Sequence, residues 1–225
     1  MRHLVKSWIK DILSQTGYYI QPVPRHLWND DKIFLFLLST IQPRTLLDPA
    51  RCFMLYQLAK HTSALAGDVA EIGVYKGGTA KLLVEILNTK KVIHLFDTFE
   101  GMPSINTKED IHKKGDFYDT SVESVKQFIG DCSNVFFHKG FFPETAQEVA
   151  IKQFCFVHID VDIFQSVKDC LEFFYNRTVP GGIIILDDYA FPSCPGAKKA
   201  ADEFYKDKKE SLCLLPTNQA FMIKI

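Results

Sequence analysis

Short apolar runs alternate with amphipathic segments along most of the chain, and this alternation predicts the order of its elements. From residue 68 onward, apolar runs too short for helices are separated by segments whose apolar positions have helical spacing. Such a pattern favours an α/β fold, with a mostly parallel sheet covered by helices on both faces. We predict strands at 68–73, 92–96, 135–138, 154–159, 183–186, 211–215 and 220–224, the last two suited to an antiparallel edge, and helices at 79–87, 121–130, 163–175 and 195–206.

Residues 1–66 predict an N-terminal helical extension, followed by a single globular domain at 67–225. The extension has helical patterns at 3–15, 31–41 and 49–61. Asp48 is placed to cap the third helix, and Pro49 occupies its first position, where proline is favoured. The polar segment 100–121 has no periodicity and is long enough to predict a functional lid.

Composition and charge exclude several classes of protein. Hydrophobic residues make up 47% of the 225 residues, which is ordinary for a globular chain and excludes disorder. The net charge of −1 gives no support to non-specific nucleic-acid binding. No apolar run is long enough to span a membrane, and Lys6 and Lys10 interrupt any signal-peptide core. The six cysteines form no C-x-x-C pair, so we expect them to be reduced and the protein to be cytoplasmic.

A glycine-rich turn follows the first predicted strand and opens a helix. Gly73 permits a tight turn with close approach of a ligand, and Gly77 and Gly78 let the helix begin beside that ligand. The spacing matches neither the dinucleotide fingerprint nor a P-loop. The second strand ends at Asp97, where an acidic side chain suits the diol of a ribose.

Four carboxylates follow two buried strands: Asp160 and Asp162 after one, Asp187 and Asp188 after the other. The carboxyl ends of parallel strands meet at the edge where open α/β sheets bind ligands. Neither Lys nor Arg immediately flanks these acids, and clustered carboxylates are costly without a counter-charge. We therefore predict a divalent cation, Mg²⁺, at this edge. Asp162 could instead cap the helix that starts at Ile163.

His158 faces the same side of its strand as Asp160. We interpret it as a buried core histidine, with proton acceptance as the second interpretation. No H-E-x-x-H or G-x-S-x-G pattern is present, which argues against a zinc hydrolase or an elbow-type serine hydrolase. The remaining histidines have no specific spacing and are expected to be structural or exposed: His3, His26, His61, His94, His112 and His138.

Five segments in order resemble the macrocin O-methyltransferase (TylF-type) family of class I S-adenosylmethionine-dependent methyltransferases. They are 67–78, 96–103, 158–162, 180–189 and 194–200, within a resemblance that covers roughly residues 45–225. One departure is Phe164, where the family often has tyrosine. The first 45 residues match no family pattern, so they leave the identity of the acceptor open.

The resemblance implies a Rossmann-like seven-stranded sheet and Mg²⁺-dependent methylation of a sugar hydroxyl by S-adenosyl-L-methionine. It implies that Asp160, Asp187 and Asp188 hold the metal. Asp162 is the expected general base, with Asp160 and His158 as the other catalytic candidates. The expected cofactor-binding residues are Glu71, Gly73, Tyr75, Gly77, Gly78, Thr79, Asp97 and Thr98.

The expected acceptor is a sugar on a small molecule or glycan, and the apolar extension is compatible with a homodimer. Three alternatives stay open. A catechol-type O-methyltransferase would use the same metal chemistry on an aromatic diol. A nucleotide-binding dehydrogenase or epimerase is disfavoured by the late second glycine. A non-catalytic module would bind S-adenosylmethionine but no metal.

Overall fold

The computed structural model describes residues 26–87, 91–103, 105 and 108–225. Ile33–Ile225 form one compact unit and Met1–Lys32 another. Of the latter, only residues 26–32 are described, where the rings of His26 and Trp28 stack with centroids 4.5 Å apart. The predicted helix at 3–15 lies outside the described residues. The predicted division at residue 66 stays a prediction, and residues 33–66 belong to the same compact unit as the sheet.

Seven strands of the described chain form one sheet. They are β1 (Asp68–Ile72), β2 (Ile93–Asp97), β3 (Val135–Lys139), β4 (Phe154–Ile159), β5 (Thr178–Leu186), β6 (Cys213–Leu214) and β7 (Ala220–Ile223). Their order is β3-β2-β1-β4-β5-β7-β6, with β1 to β5 parallel and β7 antiparallel to both β5 and β6. This confirms the mostly parallel Rossmann-like sheet and its antiparallel edge. The strand order reverses between β1 and β4, which is where open α/β sheets bind ligands.

Helices cover both faces of this sheet. They are α1 (Lys32–Ile41), α2 (Pro49–Thr62), α3 (Gly78–Leu87), α4 (Val122–Ile129), α5 (Phe164–Phe174) and α6 (Pro195–Tyr205), with 3₁₀ turns at Gln42–Arg44, Glu144–Val149 and Tyr175–Arg177. α3 contacts α2 and α4, whereas α5 packs on α6. The ends of these helices agree with the predicted ends to within one residue. Among the described residues, none of the helices could cross a membrane.

β5 departs from its prediction, because it begins at Thr178 rather than at Ile183. Its register with β4 shifts between Phe154 and Phe156, so residues 179–182 form a bulge within the strand. The predicted start of this strand at Ile183 is therefore wrong. Gly181 has a φ of +80°, which supplies the bend that such a bulge requires.

The start of α2 is fixed by its cap. The carboxylate of Asp48 accepts hydrogen bonds from the backbone N–H groups of Ala50 and Arg51, at 2.8 and 3.1 Å. This confirms the predicted cap. Arg51 is buried on the same helical stripe as Leu55 and Ala59, and α2 contacts β4 and β5. The cap therefore helps to aim an arginine at the sheet.

Candidate active site

A cavity of about 260 Å³ lies at the carboxyl ends of β1, β2, β4 and β5. Eight of the predicted site residues line it: Gly73, Tyr75, Thr79, Asp97, Thr98, Asp160, Asp162 and Asp188. Glu71, His158 and Asp187 are completely buried and are not among the described residues of the lining. The structure therefore brings the glycine turn and the carboxylate cluster to one cavity.

The glycines of the turn are required by the packing of the chain against itself. A Cβ on Gly73 would lie 1.7 Å from the carbonyl oxygen of Asp160, and the φ of Gly73 is +91°. A Cβ on Gly78 would lie 2.7 Å from the Cβ of Thr45. Close approach to a ligand was the predicted reason for these glycines. Close approach to β4 and to the segment before α2 is the reason that the structure supplies.

Asp97 ties the glycine turn to the end of β2. Its Oδ2 atom accepts hydrogen bonds from the backbone N–H groups of Val74 and Tyr75, both at 2.8 Å. Its Oδ1 atom accepts from the N–H of Phe99 at 2.6 Å. Asp97 therefore orders the rim of the cavity, and its contact with a ribose stays a prediction.

The segment between β2 and α4, residues 98–121, contributes Met102, His112 and Phe117 to the cavity wall. Several hydrogen bonds hold its described residues in place, and two of them involve Asp119 and Glu109. The hydroxyl of Tyr75 donates to Asp119 at 2.7 Å, and Lys199 on α6 donates to Glu109 at 2.8 Å. These anchors place the predicted lid segment over the carboxyl ends of the strands.

Glu71 and His158 form a buried pair beneath the cavity. The His158 Nδ1 atom lies 2.8 Å from Glu71 Oε1, and the His158 Nε2 atom lies 3.7 Å from Asp187 Oδ1. Burial alone would lower the pKa of His158, but the hydrogen bond and the charge of Glu71 raise it. The complete burial of His158 and its contact with Glu71 support the interpretation of His158 as a core histidine, although Glu71 Oε2 and His158 Nε2 are buried without a hydrogen-bond partner among the described residues.

Arg51 supplies a counter-charge that the sequence analysis did not find. Its guanidinium forms an ion pair with Asp187 and lies 3.9 Å from Asp188. Gln219 on the loop before β7 donates a further hydrogen bond to Asp187 at 2.7 Å. Arg51 was missed because only sequence neighbours were considered as counter-charges, and the metal ion stays a prediction. The position of Arg51 on the apolar stripe of α2 was the sequence signal that could have indicated this counter-charge.

A further positive charge beside Asp160 and Asp188 would still stabilise their ionised carboxylates. Burial, and then repulsion by Asp188, raise the pKa of Asp160, whose carboxylate has no hydrogen bond or ion pair to another described residue. Burial also raises the pKa of Asp188, although the backbone N–H of Asp162 donates to it at 3.0 Å. One oxygen from each of Asp160, Asp187 and Asp188 lies within 4.8 Å of the others. Three such oxygens fit a hard divalent cation.

Asp162 does not cap α5. Its φ is +59°, and Ile163 occupies the N-cap position without a side-chain hydrogen bond. Asp110, from the loop 98–121, performs this function, since its Oδ1 atom accepts from the backbone N–H of Phe164 at 2.8 Å. The capping alternative for Asp162 was therefore wrong, and its carboxylate faces the cavity instead.

Asp162 meets two side chains that the sequence analysis did not select. The Cys194 Sγ atom lies 3.4 Å, and the His112 Nε2 atom 3.5 Å, from Asp162 Oδ1. Burial, and then repulsion by Asp188, raise the pKa of Asp162 to about 8. No sequence motif signals His112 or Cys194, because their approach depends on the path of the loop and on the start of α6.

The cysteines and the other described histidines agree with their predictions. All six cysteines are free. His61 is exposed, whereas His94 and His138 are buried and approach each other to 3.0 Å. His112 differs from its expectation, because it lines the cavity.

Comparison with known proteins agrees with this architecture. The sequence model of a family described as macrocin-O-methyltransferase (TylF) matches residues 53–214. The chain is 29% identical over 153 residues to demethyldecarbamoylnovobiocin O-methyltransferase of Streptomyces niveus, an alignment that covers 61% of this chain and 58% of that protein. It is 28% identical over 148 residues to 8-demethyl-8-(2,3-dimethoxy-alpha-L-rhamnosyl)-tetracenomycin-C 4'-O-methyltransferase of Streptomyces olivaceus, with coverage of 58% and 56%. The chain thus spans less than two thirds of the length of these curated relatives.

The structure of the O-methyltransferase NovP has a similar fold. It superimposes with a TM-score of 0.72 at 25% sequence identity, over 80% of this chain and 82% of that one.

Proposed function

Because this chain belongs to the TylF macrocin-O-methyltransferase family, we propose that it transfers a methyl group from S-adenosyl-L-methionine to a hydroxyl group of a sugar. The acceptor sugar belongs to a secondary metabolite or a surface polysaccharide. The observation that carries the proposal is the single cavity that joins the glycine turn to Asp160, Asp162 and Asp188. The named activity of the rhamnosyl-tetracenomycin relative supports a sugar acceptor.

In this proposal the cofactor half of the cavity is formed by β1, β2 and the start of α3. Gly73, Tyr75, Thr79, Asp97 and Thr98 line it, and Thr79 belongs to the first turn of α3. Glu71, Gly77 and Gly78 are not among the described lining residues: Glu71 is completely buried, Gly77 faces Val125, and Gly78 faces Thr45. S-adenosylmethionine supplies the methyl group when it is bound there.

Asp160, Asp187 and Asp188 would hold Mg²⁺. The raised pKa of Asp160 and its unpaired carboxylate support this assignment, and Asp187 would be shared with Arg51. Bound there, the ion supplies Lewis acidity, which lowers the pKa of an acceptor hydroxyl.

Asp162 would accept the proton of the acceptor hydroxyl at a carboxylate oxygen. Its carboxylate lines the cavity, and its pKa of about 8 lies close to neutral pH, as suits a general base. The wall formed by Met102, His112 and Phe117 would exclude water from the acceptor. His158 is too deeply buried to touch an acceptor in this arrangement.

The proposal also includes a homodimer and a cytoplasmic location. Exposed apolar side chains at Ile33, Phe36 and Leu46 support an association between copies, and the free cysteines support a reducing compartment. Sedimentation equilibrium tests the first of these statements: a monomer at micromolar concentration contradicts it.

The test is a pair of binding titrations with an acceptor panel. We expect calorimetry to show binding of S-adenosylhomocysteine, and separately of Mg²⁺, to the unmodified chain. Asp160→Asn should lose Mg²⁺ binding and turnover while it retains S-adenosylhomocysteine. Asp131→Asn, at an exposed carboxylate outside the cavity, is the matched control.

The outcomes separate the remaining possibilities. Turnover of deoxysugar conjugates but not of catechols supports the proposal, and the reverse preference indicates a catechol-type enzyme. Binding of S-adenosylhomocysteine without Mg²⁺ binding or turnover indicates a binding module. A folded chain that does not bind S-adenosylhomocysteine contradicts the proposal.

A further inference from the structure

Three side chains from separate segments meet on one wall of the cavity. His112 comes from the loop 98–121, Asp162 follows β4, and Cys194 precedes α6. His112 Nε2 lies 3.5 Å from Asp162 Oδ1, and Cys194 Sγ lies 3.4 Å from that oxygen and 3.6 Å from the same nitrogen. We propose that these three atoms form a second cation site, which binds Zn²⁺ or another borderline-soft divalent metal and is distinct from the site formed by Asp160, Asp187 and Asp188.

The separations fit one face of a zinc tetrahedron. Zinc bonds of ~2.0–2.1 Å to nitrogen, ~2.0–2.2 Å to oxygen and ~2.3 Å to sulfur, set at tetrahedral angles, place the ligand atoms about 3.4–3.6 Å apart. The measured separations of 3.4, 3.5 and 3.6 Å lie in that range. One metal ion could therefore contact all three atoms with little movement of the chain.

The donor set separates this site from the carboxylate cluster. A histidine nitrogen and a cysteine sulfur suit zinc, whereas Mg²⁺ requires oxygen ligands and near-octahedral geometry. Asp160, Asp187 and Asp188 offer only oxygens. The two groups should therefore select different cations from a mixture.

A second carboxylate orients the histidine for this role. The Oδ2 atom of Asp116 lies 3.3 Å from His112 Nδ1 and also accepts from the backbone N–H of Lys113 at 2.9 Å. A proton on Nδ1 that points at Asp116 leaves the lone pair of Nε2 for a metal. Metal-binding histidines commonly have such a carboxylate partner, which fixes the tautomer.

The fourth coordination position would face the cavity, because all three side chains line it. Three protein ligands with one open position are typical of an accessible zinc site rather than of a closed structural one. Binding would convert the Cys194 thiol to a thiolate and release its proton to solvent.

The consequence for activity rests on the proposed function. A metal at this site would occupy the carboxylate that is proposed to accept the proton, and would fasten the loop 98–121 to the ends of β4 and α6. Zinc should therefore inhibit methyl transfer, and a zinc-selective chelator, added while Mg²⁺ stays in excess, should restore it.

The test uses Co²⁺ as a spectroscopic probe for zinc, with the full chain. We expect one Co²⁺ to bind with the visible bands of tetrahedral cobalt and a thiolate-to-cobalt charge-transfer band in the near ultraviolet. Zn²⁺ should displace it, and Mg²⁺ in large excess should not. Asp116→Asn should weaken binding by about 10–100-fold, which is the usual effect of removing the partner of a metal-binding histidine.

Matched variants locate the site. Cys194→Ser should abolish the charge-transfer band, whereas Cys213→Ser, at the exposed cysteine, should retain it. His112→Gln should lose the tetrahedral bands, and His61→Gln, at an exposed histidine, should keep them. If circular dichroism shows that Cys194→Ser is unfolded, the comparison of His112→Gln with His61→Gln tests the site instead.

Three results would overturn the site: no charge-transfer band in the unmodified chain, a band that persists in Cys194→Ser, or loss of that band when Mg²⁺ is added. The cobalt spectra do not depend on methyl transfer. If the chain binds cobalt as expected but does not bind S-adenosylhomocysteine, the proposed function fails while the cation site stands.

Discussion

Replacing Arg51 with methionine removes the positive charge that α2 places on the carboxylate cluster. Arg51 is buried, it forms an ion pair with Asp187, and its guanidinium lies 4.3 Å from the centre of the Phe191 ring. Methionine preserves most of the apolar stem and removes the charge. Among the described residues, Asp187 then keeps the hydrogen bond from Gln219, and His158 Nε2 remains 3.7 Å from its Oδ1 atom.

The expected loss follows from the burial of both partners. Removal of one partner from a buried ion pair costs about 3–5 kcal/mol, because the remaining charge is left without compensation. For a chain of this length, about 2–4 °C of Tm correspond to each kcal/mol. We therefore expect Arg51→Met to unfold about 6–20 °C below the unmodified chain.

Thermal unfolding followed by circular dichroism in the presence of EDTA measures this loss. Arg44→Met is the matched control, because Arg44 donates to Ser124 and has no contact with the carboxylates. The double variant Arg51→Met/Asp187→Asn should recover most of the loss, since it removes both members of the pair. A loss below about 1 kcal/mol in Arg51→Met, or no recovery in the double variant, would refute the reasoning.

Three further predictions concern the turn, the loop and the carboxyl-terminal part of the chain. Gly73→Ala should destabilise by about 2–6 kcal/mol in urea unfolding, since its Cβ would clash with the carbonyl of Asp160 at a positive φ; a loss below 1 kcal/mol contradicts this. Asp110→Ala should cost about 0.5–2 kcal/mol by uncapping α5 and should speed proteolysis within the loop 98–121; unchanged cleavage would show that the cap does not hold the loop. Burial alone would raise the pKa of Glu210, but the hydrogen bond from Lys224, at 2.6 Å, lowers it to about 2. The stabilisation by ionised Glu210 is therefore complete above its ordinary pKa of 4.5 and is lost as the pH falls towards 2. Glu210→Gln should lower the free energy of unfolding by about 1.5–3 kcal/mol at pH 7 and by less at pH 3. A loss that does not change with pH contradicts this.

Local patterns were sufficient to predict most of the fold. The apolar runs of β1 and β4, the cap at Asp48 and the helical spacing of α3 to α6 depend on residues that are neighbours in sequence. The start of β5 was missed because Pro180 and two glycines are typical of a turn. Only the pairing with β4 shows that these residues form a bulge.

The amino-acid sequence by itself determined the strand-end carboxylates, the glycine turn and Asp97, because parallel strands carry the residues that follow them to one edge of the sheet. The tertiary structure alone decided what surrounds them. Arg51 reaches Asp187 from α2, His112 reaches Asp162 from the loop 98–121, and Cys194 reaches it from the start of α6. Such contacts join segments that are far apart in the chain, and their geometry depends on helix packing and loop path. Local sequence periodicity does not determine helix packing or the path of a loop. The charged and donor groups around the carboxylates are therefore evident only in the folded chain.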